Sequence, residues 1–202
     1  GNDARLPKRL CRSKISICGS TSEKSVYVVL SIRYCANGVA RDICDRCGFI
    51  HYDNPKIVVG SVVTHENRVL LCRRAIEPRK GYWTLPAGFM EHGETTEEGA
   101  RREAREEANA DIRIRDLLAI YNIPRIAQVQ MMYRAELASP EFSAGPESLD
   151  VALFAWEEIP WEQLAFPSAY WALKQFRSVM DQAVIAPFSN PDGDLADAFP
   201  FR

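Results

Sequence analysis

The sequence predicts an α/β domain built around a mixed sheet. Three observations carry that expectation. Runs rich in β-branched and aliphatic residues recur at 56–64, 68–74, 112–123, 127–137 and 151–159. Two segments with helical periodicity, 95–108 and 168–184, alternate with these runs instead of gathering at one end. At 202 residues, 47% hydrophobic and 10% aromatic, the chain has enough apolar mass for one core and a small appendage.

The first element is an amino-terminal arm, residues 1–52, with an uneven charge. Residues 1–40 hold seven basic and two acidic side chains, leaving 18 basic and 25 acidic groups for the rest. A basic arm on an acidic body and a targeting segment both fit that distribution. VYVVLSI, residues 26–32, reads as a buried strand. CDRCG places Cys44 and Cys47 at a spacing suited to two thiolates on one Zn²⁺, with Cys35 as a further candidate ligand. A complete ribbon needs a second such pair, and the sequence has none. A structural zinc site and an eroded, metal-free knuckle therefore both remain open.

The main domain is expected over residues 53–187. KIVVGSVVT and RVLLCRR flank the polar HEN and read as a hairpin. GYWTLPAG is a short strand running into a Pro and Gly turn. TTEEGARREAREEA follows as a helix, with Thr95 or Thr96 as its N-cap and acids in its first turn. Strands at 112–123, 127–137 and 151–159 come next, then an amphipathic helix over 168–184. The tail at 188–202, rich in Pro and Asp, is expected to be loose.

Chemistry concentrates on the acidic helix. Glu103, Glu106 and Glu107 stand at i, i+3 and i+4 and share one face, where like charges repel. A solvated face is the ordinary explanation of such a run. A hard divalent cation is the other, because Mg²⁺ prefers oxygen ligands and would turn the repulsion into binding. Arg102 lies four residues before Glu106 and is placed to pair with it, and Gly88 opens a loop that must return close to the helix.

Gly88, Glu94, Arg102, Glu103, Glu106 and Glu107 fit G-x5-E-x7-R-E-U-x-E-E-x-G-U, and the chain from about Cys44 to Phe166 resembles Nudix hydrolases. CDRCGFIHYDNPKIVVGSVV, VLLCRRAIEPRKGYWTLPAGFME and GPESLDVALFAWEEIPWEQLAF are similar to a zinc-ribbon-bearing subgroup of FAD and ADP-ribose pyrophosphatases. Two positions depart from the box. Ala104 replaces a bulkier aliphatic residue, which suggests tight packing of the helix. Asn109 replaces the glycine, and should keep its left-handed conformation, since Asn is the next residue able to adopt it.

The resemblance implies an α/β/α sandwich and a Mg²⁺- or Mn²⁺-dependent hydrolase that cleaves a nucleoside diphosphate linked to another moiety. It implies Glu103, Glu106 and Glu107 as metal ligands, with a carbonyl of Ala87 or Gly88, and Arg102 and Glu94 in support. Glu147 in GPESLD is the loop candidate for general base, against the reading of an ordinary solvated acid. Trp83, Tyr121 and Phe154 are candidates to stack on a base or flavin, although buried aromatics usually serve packing. Pro124 resembles a proline of ADP-ribose hydrolases, and a turn between strands explains it equally well. Ala152 stands where similar sequences carry an arginine.

FAD or ADP-ribose is the expected substrate. NADH is the nearest rival, disfavoured because NIPRIAQVQMMYRAEL stands where that group carries its SQPWPFPxS array. From another class, the fold could serve as a nucleotide sensor or nucleic-acid-binding module, which has no need of all three glutamates. No apolar run approaches the ~20 residues needed to cross a bilayer. A small-molecule partner, a homodimer and the cytoplasm are expected, with organelle targeting by the basic arm as the alternative. Nucleic acid and membrane are not.

Overall fold

The computed structural model describes residues 16–17, 27–28, 30–34, 40–44 and 50–194. The chain divides into two units at Asn54 and Pro55. In the first, strands β1 (Ser16–Ile17) and β2 (Tyr27–Val28) pair antiparallel. β3 (Leu30–Tyr34), β4 (Ala40–Cys44) and β5 (Ile50–His51) form a second antiparallel sheet. Cys44 thus ends a strand. Its side chain, and Cys35 and Cys47 altogether, lie outside the described residues, so the expected zinc knuckle does too.

The second unit begins with the expected hairpin. β6 (Lys56–His65) turns at Glu66 and Asn67 into β7 (Arg68–Arg74). Both turn residues have positive φ, 48° and 62°, the twist that a two-residue hairpin turn requires. The two strands pair only at Thr64–Val69 and His65–Arg68 and then diverge. The gap is filled by β8 (Trp83–Thr84) on β7 and β9 (Ala87–Phe89) on β6. The single strand expected over 81–88 is therefore two short ones, because Pro86 interrupts the ladder between them.

Beyond the box helix α1 (Thr96–Ala108) come β10 (Ile112–Ile123), β11 (Gln128–Leu137) and β12 (Ser148–Phe154). The principal strand order is β10-β11-β6-β7-β12, with β11 and β6 parallel and the other neighbours antiparallel. The sheet is mixed, as expected. Pro124 begins a short 3-10 turn between β10 and β11, the turn reading of that residue.

Alternation along the strands loads both faces with apolar residues. Val62, Val69 and Leu71 face one core with Trp171, Leu173 and Phe176 of α2 (Pro167–Val179). Val63, Leu70 and Cys72 face the other with Ala104 and Ala108 of α1. Helix, sheet and helix thus form the α/β/α sandwich. Ala104 is fully buried, and its small side chain lets α1 lie close on the sheet.

Three expectations about extent are corrected. The strand expected to reach residue 159 stops at Phe154. Residues 156–158 form a 3-10 turn, because the Glu158 carboxylate accepts a hydrogen bond from Ala155 N–H at 3.1 Å and folds the chain back. The second helix ends at Val179 rather than 184. Buried Arg134, paired with Asp116, donates to the carbonyls of Val179 at 3.0 Å and Gln182 at 2.9 Å, drawing the chain off the helix axis. The tail is not loose through Asp194. Ile120 N–H donates to Phe188, Phe188 N–H donates to Leu118, and the Asn190 amide bonds both backbone groups of Asn122.

Candidate active site

α1 begins with a complete capping box. Thr95 Oγ1 accepts from Glu98 N–H at 3.2 Å, and the Glu98 carboxylate accepts from Thr95 N–H at 2.7 Å. This fixes the helix phase, and the phase sorts the acids. Glu103 and Glu107, one turn apart, are 8% and 6% exposed on the face that meets the sheet. Glu106 points outward, and Glu97 and Glu98 are exposed.

The backbone of β9 passes directly over this face. A Cβ on Gly88 would lie 2.4 Å from either oxygen of the Glu103 carboxylate, so any side chain there would push that carboxylate out of its present place. Ala87 N–H donates to Glu107 Oε2 at 3.2 Å. Burial pushes the Glu107 carboxyl up to about 8, opposed by that bond and by Arg74, and aided by the charges of Glu103 and Glu147. Burial likewise raises Glu103, against the pull of Arg102.

Arg102 gathers the remaining acids. It donates to Glu94 at 2.9 and 3.0 Å, to Glu103 and Glu106 at 2.8 Å each, and to the Phe89 carbonyl at 3.0 Å. Hydrogen bonding to Arg102 holds the Glu94 carboxyl below the usual range. Glu147 reaches the same place from the loop before β12. With Arg74, Ala87, Gly88 and the three box glutamates, it lines a cavity of about 660 Å³. The structure thus brings together Glu94, Arg102, Glu103, Glu106, Glu107, Glu147, Ala87 and Gly88. Among the described residues no three carboxylates converge into a ready-made metal cage, and Arg102 holds Glu103 and Glu106 of the three box glutamates.

The three aromatic candidates are elsewhere. Tyr121 has no exposed surface, packs edge-on to Trp171 and donates its hydroxyl hydrogen to Gln175 at 2.6 Å. Trp83 and Phe154 pack edge to face, 4.9 Å apart, on the same core. The stacking expectation for all three is corrected to packing.

A second pocket adjoins the acidic cavity and shares Arg74, Ala87, Gly88 and Phe89 with it. Its volume is about 210 Å³, and its walls include Ile126, Gln128, Gln130, Met132 and Phe166. Gln130 Nε2 donates to Gln128 Oε1 at 3.0 Å, which leaves the outer amide atoms of the pair for a ligand. The sequence reading missed this pocket. Arg74 ends a strand that diverges from its neighbour, and the two glutamines alternate on β11. That alternation was the available signal.

Residues 54–177, more than half of the chain, match the NUDIX domain. The chain belongs to the NUDIX domain family. It is similar to a crystallographically determined NUDIX hydrolase from Nitrosomonas europaea, with 45% identity and a TM-score of 0.76. That match covers 81% of this chain and 94% of the other. It is 31% identical over 119 residues to an ADP-ribose pyrophosphatase from Methanocaldococcus jannaschii, spanning 57% of this chain and 69% of that protein. It is 33% identical to the NAD-capped RNA hydrolase NudC of Stutzerimonas stutzeri, spanning 54% of this chain and 39% of that longer protein. The NUDIX domain of this chain thus holds the box acids on one wall of the acidic cavity and a largely apolar pocket beside it.

Proposed function

We propose that the protein is a Mg²⁺- or Mn²⁺-dependent pyrophosphohydrolase acting on a nucleoside diphosphate joined to another moiety, most favourably ADP-ribose or FAD. The observation that carries this reading is the shared wall. Arg74, Ala87, Gly88 and Phe89 border both the acidic cavity and the apolar pocket, so one ligand can place a diphosphate in the first and a nucleoside in the second. The relation to an ADP-ribose pyrophosphatase supports the same substrate class.

The residues present suit a hard cation. Burial raises Glu103 and Glu107 even against Arg102 and Arg74, so a cation bound between them would favour their ionised forms, and the missing side chain at Gly88 leaves room beside Glu103. Glu103, Glu106 and Glu107 would hold the metal, with a carbonyl of Ala87 or Gly88 as a further oxygen. When bound, it neutralises charge on the diphosphate and acidifies water. Arg102 and Glu94 keep the acids in register. Glu147, an exposed residue in the cavity lining, takes the proton of the attacking water while a bridging P–O bond breaks, leaving two phosphorylated products. Arg74 faces the diphosphate between the two pockets.

NAD-type dinucleotides are the second reading, favoured by the NudC relative. A structural Zn²⁺ on Cys44, Cys47 and Cys35, a homodimer and a cytoplasmic location complete the proposal. Metal analysis and sedimentation test the first two. The central test is hydrolysis of ADP-ribose, FAD and NADH with Mg²⁺ by the native protein and Glu107→Gln. The native protein should release AMP and the variant should not. Tight binding of ADP-ribose without turnover of any of the three would instead indicate a sensor.

A further inference from the structure

We propose that Asn109 is a positioning residue whose carboxamide clamps the loop of residues 143–148, so that Glu147 is held over the carboxylate cluster. This rests on the reading of Glu147 given above. Asn109 adopts the left-handed conformation expected of it, φ 46° and ψ 29°, and its N–H caps the carbonyls of Ala104 and Arg105. A glycine would do that much. The side chain does more. Asn109 Nδ2 lies 3.3 Å from the Ser143 carbonyl, 3.1 Å from Ser143 Oγ and 3.2 Å from the Ala144 carbonyl. A single donor group is thus aimed at three oxygens of a segment 34 residues further along the chain.

The loop is drawn onto the helix end from the other direction as well. Ser143 N–H donates to Ala108 at 2.9 Å, and Gly145 N–H donates to Glu107 at 3.0 Å. A Cβ on Gly145 would fall 1.8 Å from the Glu106 carbonyl oxygen, so the contact is backbone against backbone. Glu147 follows two residues later. Its carbonyl accepts from Ala75 N–H at 2.8 Å, and Ser148 N–H closes a turn onto Gly145 at 3.0 Å. With both sides of Glu147 fixed, its side chain has a short reach, and that reach is the acidic cavity. Asn109 supplies the outermost tie of this arrangement and is its only side-chain donor among these bonds.

Asn109→Gly keeps the turn and deletes the tie. Asn109→Asp keeps the turn and replaces the donor by an acceptor facing three oxygens. The experiment measures kcat and KM for ADP-ribose with Mg²⁺ in both variants, in Glu147→Gln and in Asn109→Gly/Glu147→Gln. Hydrogen exchange of peptides covering 141–148 is followed in the ligand-free proteins. Asn109→Gly should lower kcat about tenfold with KM within about twofold, since small displacements of a reacting group cost rate rather than binding. Asn109→Asp should be at least as slow. Exchange in the loop should quicken at least about fivefold in both. Adding Asn109→Gly to Glu147→Gln should cost nothing further. Unchanged exchange in Asn109→Gly overturns the clamp, and an undiminished loss in the Glu147→Gln background overturns action through Glu147. Full activity of Glu147→Gln alone would sink the role of Glu147 in catalysis, while the exchange data still decide whether Asn109 holds the loop.

Discussion

A methyl group on residue 88 would sit 2.4 Å from both oxygens of Glu103. The atoms it meets are the far end of a side chain, so the fold can yield there while the site cannot. Gly88→Ala should therefore lower kcat for ADP-ribose about tenfold or more with little change in Tm, read by steady-state kinetics and thermal melting. Glu107→Gln should separate the two properties the other way. It removes an acid that is costly to ionise when buried, so it should abolish turnover yet raise the Tm of the metal-free protein at pH 8. At this scale the sequence was informative wherever a role is fixed by local spacing. Arg102 sits four residues before Glu106, and the structure joins them at 2.8 Å. It misplaced Tyr121 and was silent on Arg74, whose surroundings come from strands and helices distant along the chain. An aromatic on a strand can face a ligand or a helix, and only the partner, here Trp171, decides which.

Among the elements, α1 was legible from end to end because both of its signals are local. Thr95 and Glu98 make the capping box, and Asn109 supplies the left-handed stop. Thr95→Ala should cost about 1 kcal/mol, seen as a lower urea midpoint with an unchanged slope. The hairpin of β6 and β7 was equally plain, since its turn residues and apolar runs adjoin. The ends of β12 and α2 were not. Apolar residues continue past both, and periodicity alone extends each element. What stops α2 is Arg134 on β11, which takes hold of the Val179 and Gln182 carbonyls across the core. The sequence places no mark at residue 179 for that event.

For the molecule as a whole, two buried acids link stability to pH and metal. A carboxyl whose folded value lies above its unfolded one binds more protons when folded, so stability falls as pH rises between the two values. For Glu107 that window runs from about 4.5 to about 8, and Glu103 shifts in the same direction. Metal-free protein should melt lower at pH 8 than at pH 5, and Mg²⁺ should raise Tm more at pH 8, as differential scanning calorimetry with and without EDTA would show. A flat profile would remove the case for strained acids. The described tail has a consequence of another kind. Phe188 and Asn190 occupy backbone groups of Leu118, Ile120 and Asn122 along the free side of β10. The chain itself thus covers the 118–122 stretch of this edge, which blocks a second molecule from adding a strand along that stretch. At the other end of this sheet β12 pairs, among the described residues, only with β7, and a strand added there would extend the sheet on the side of the loop that bears Glu147.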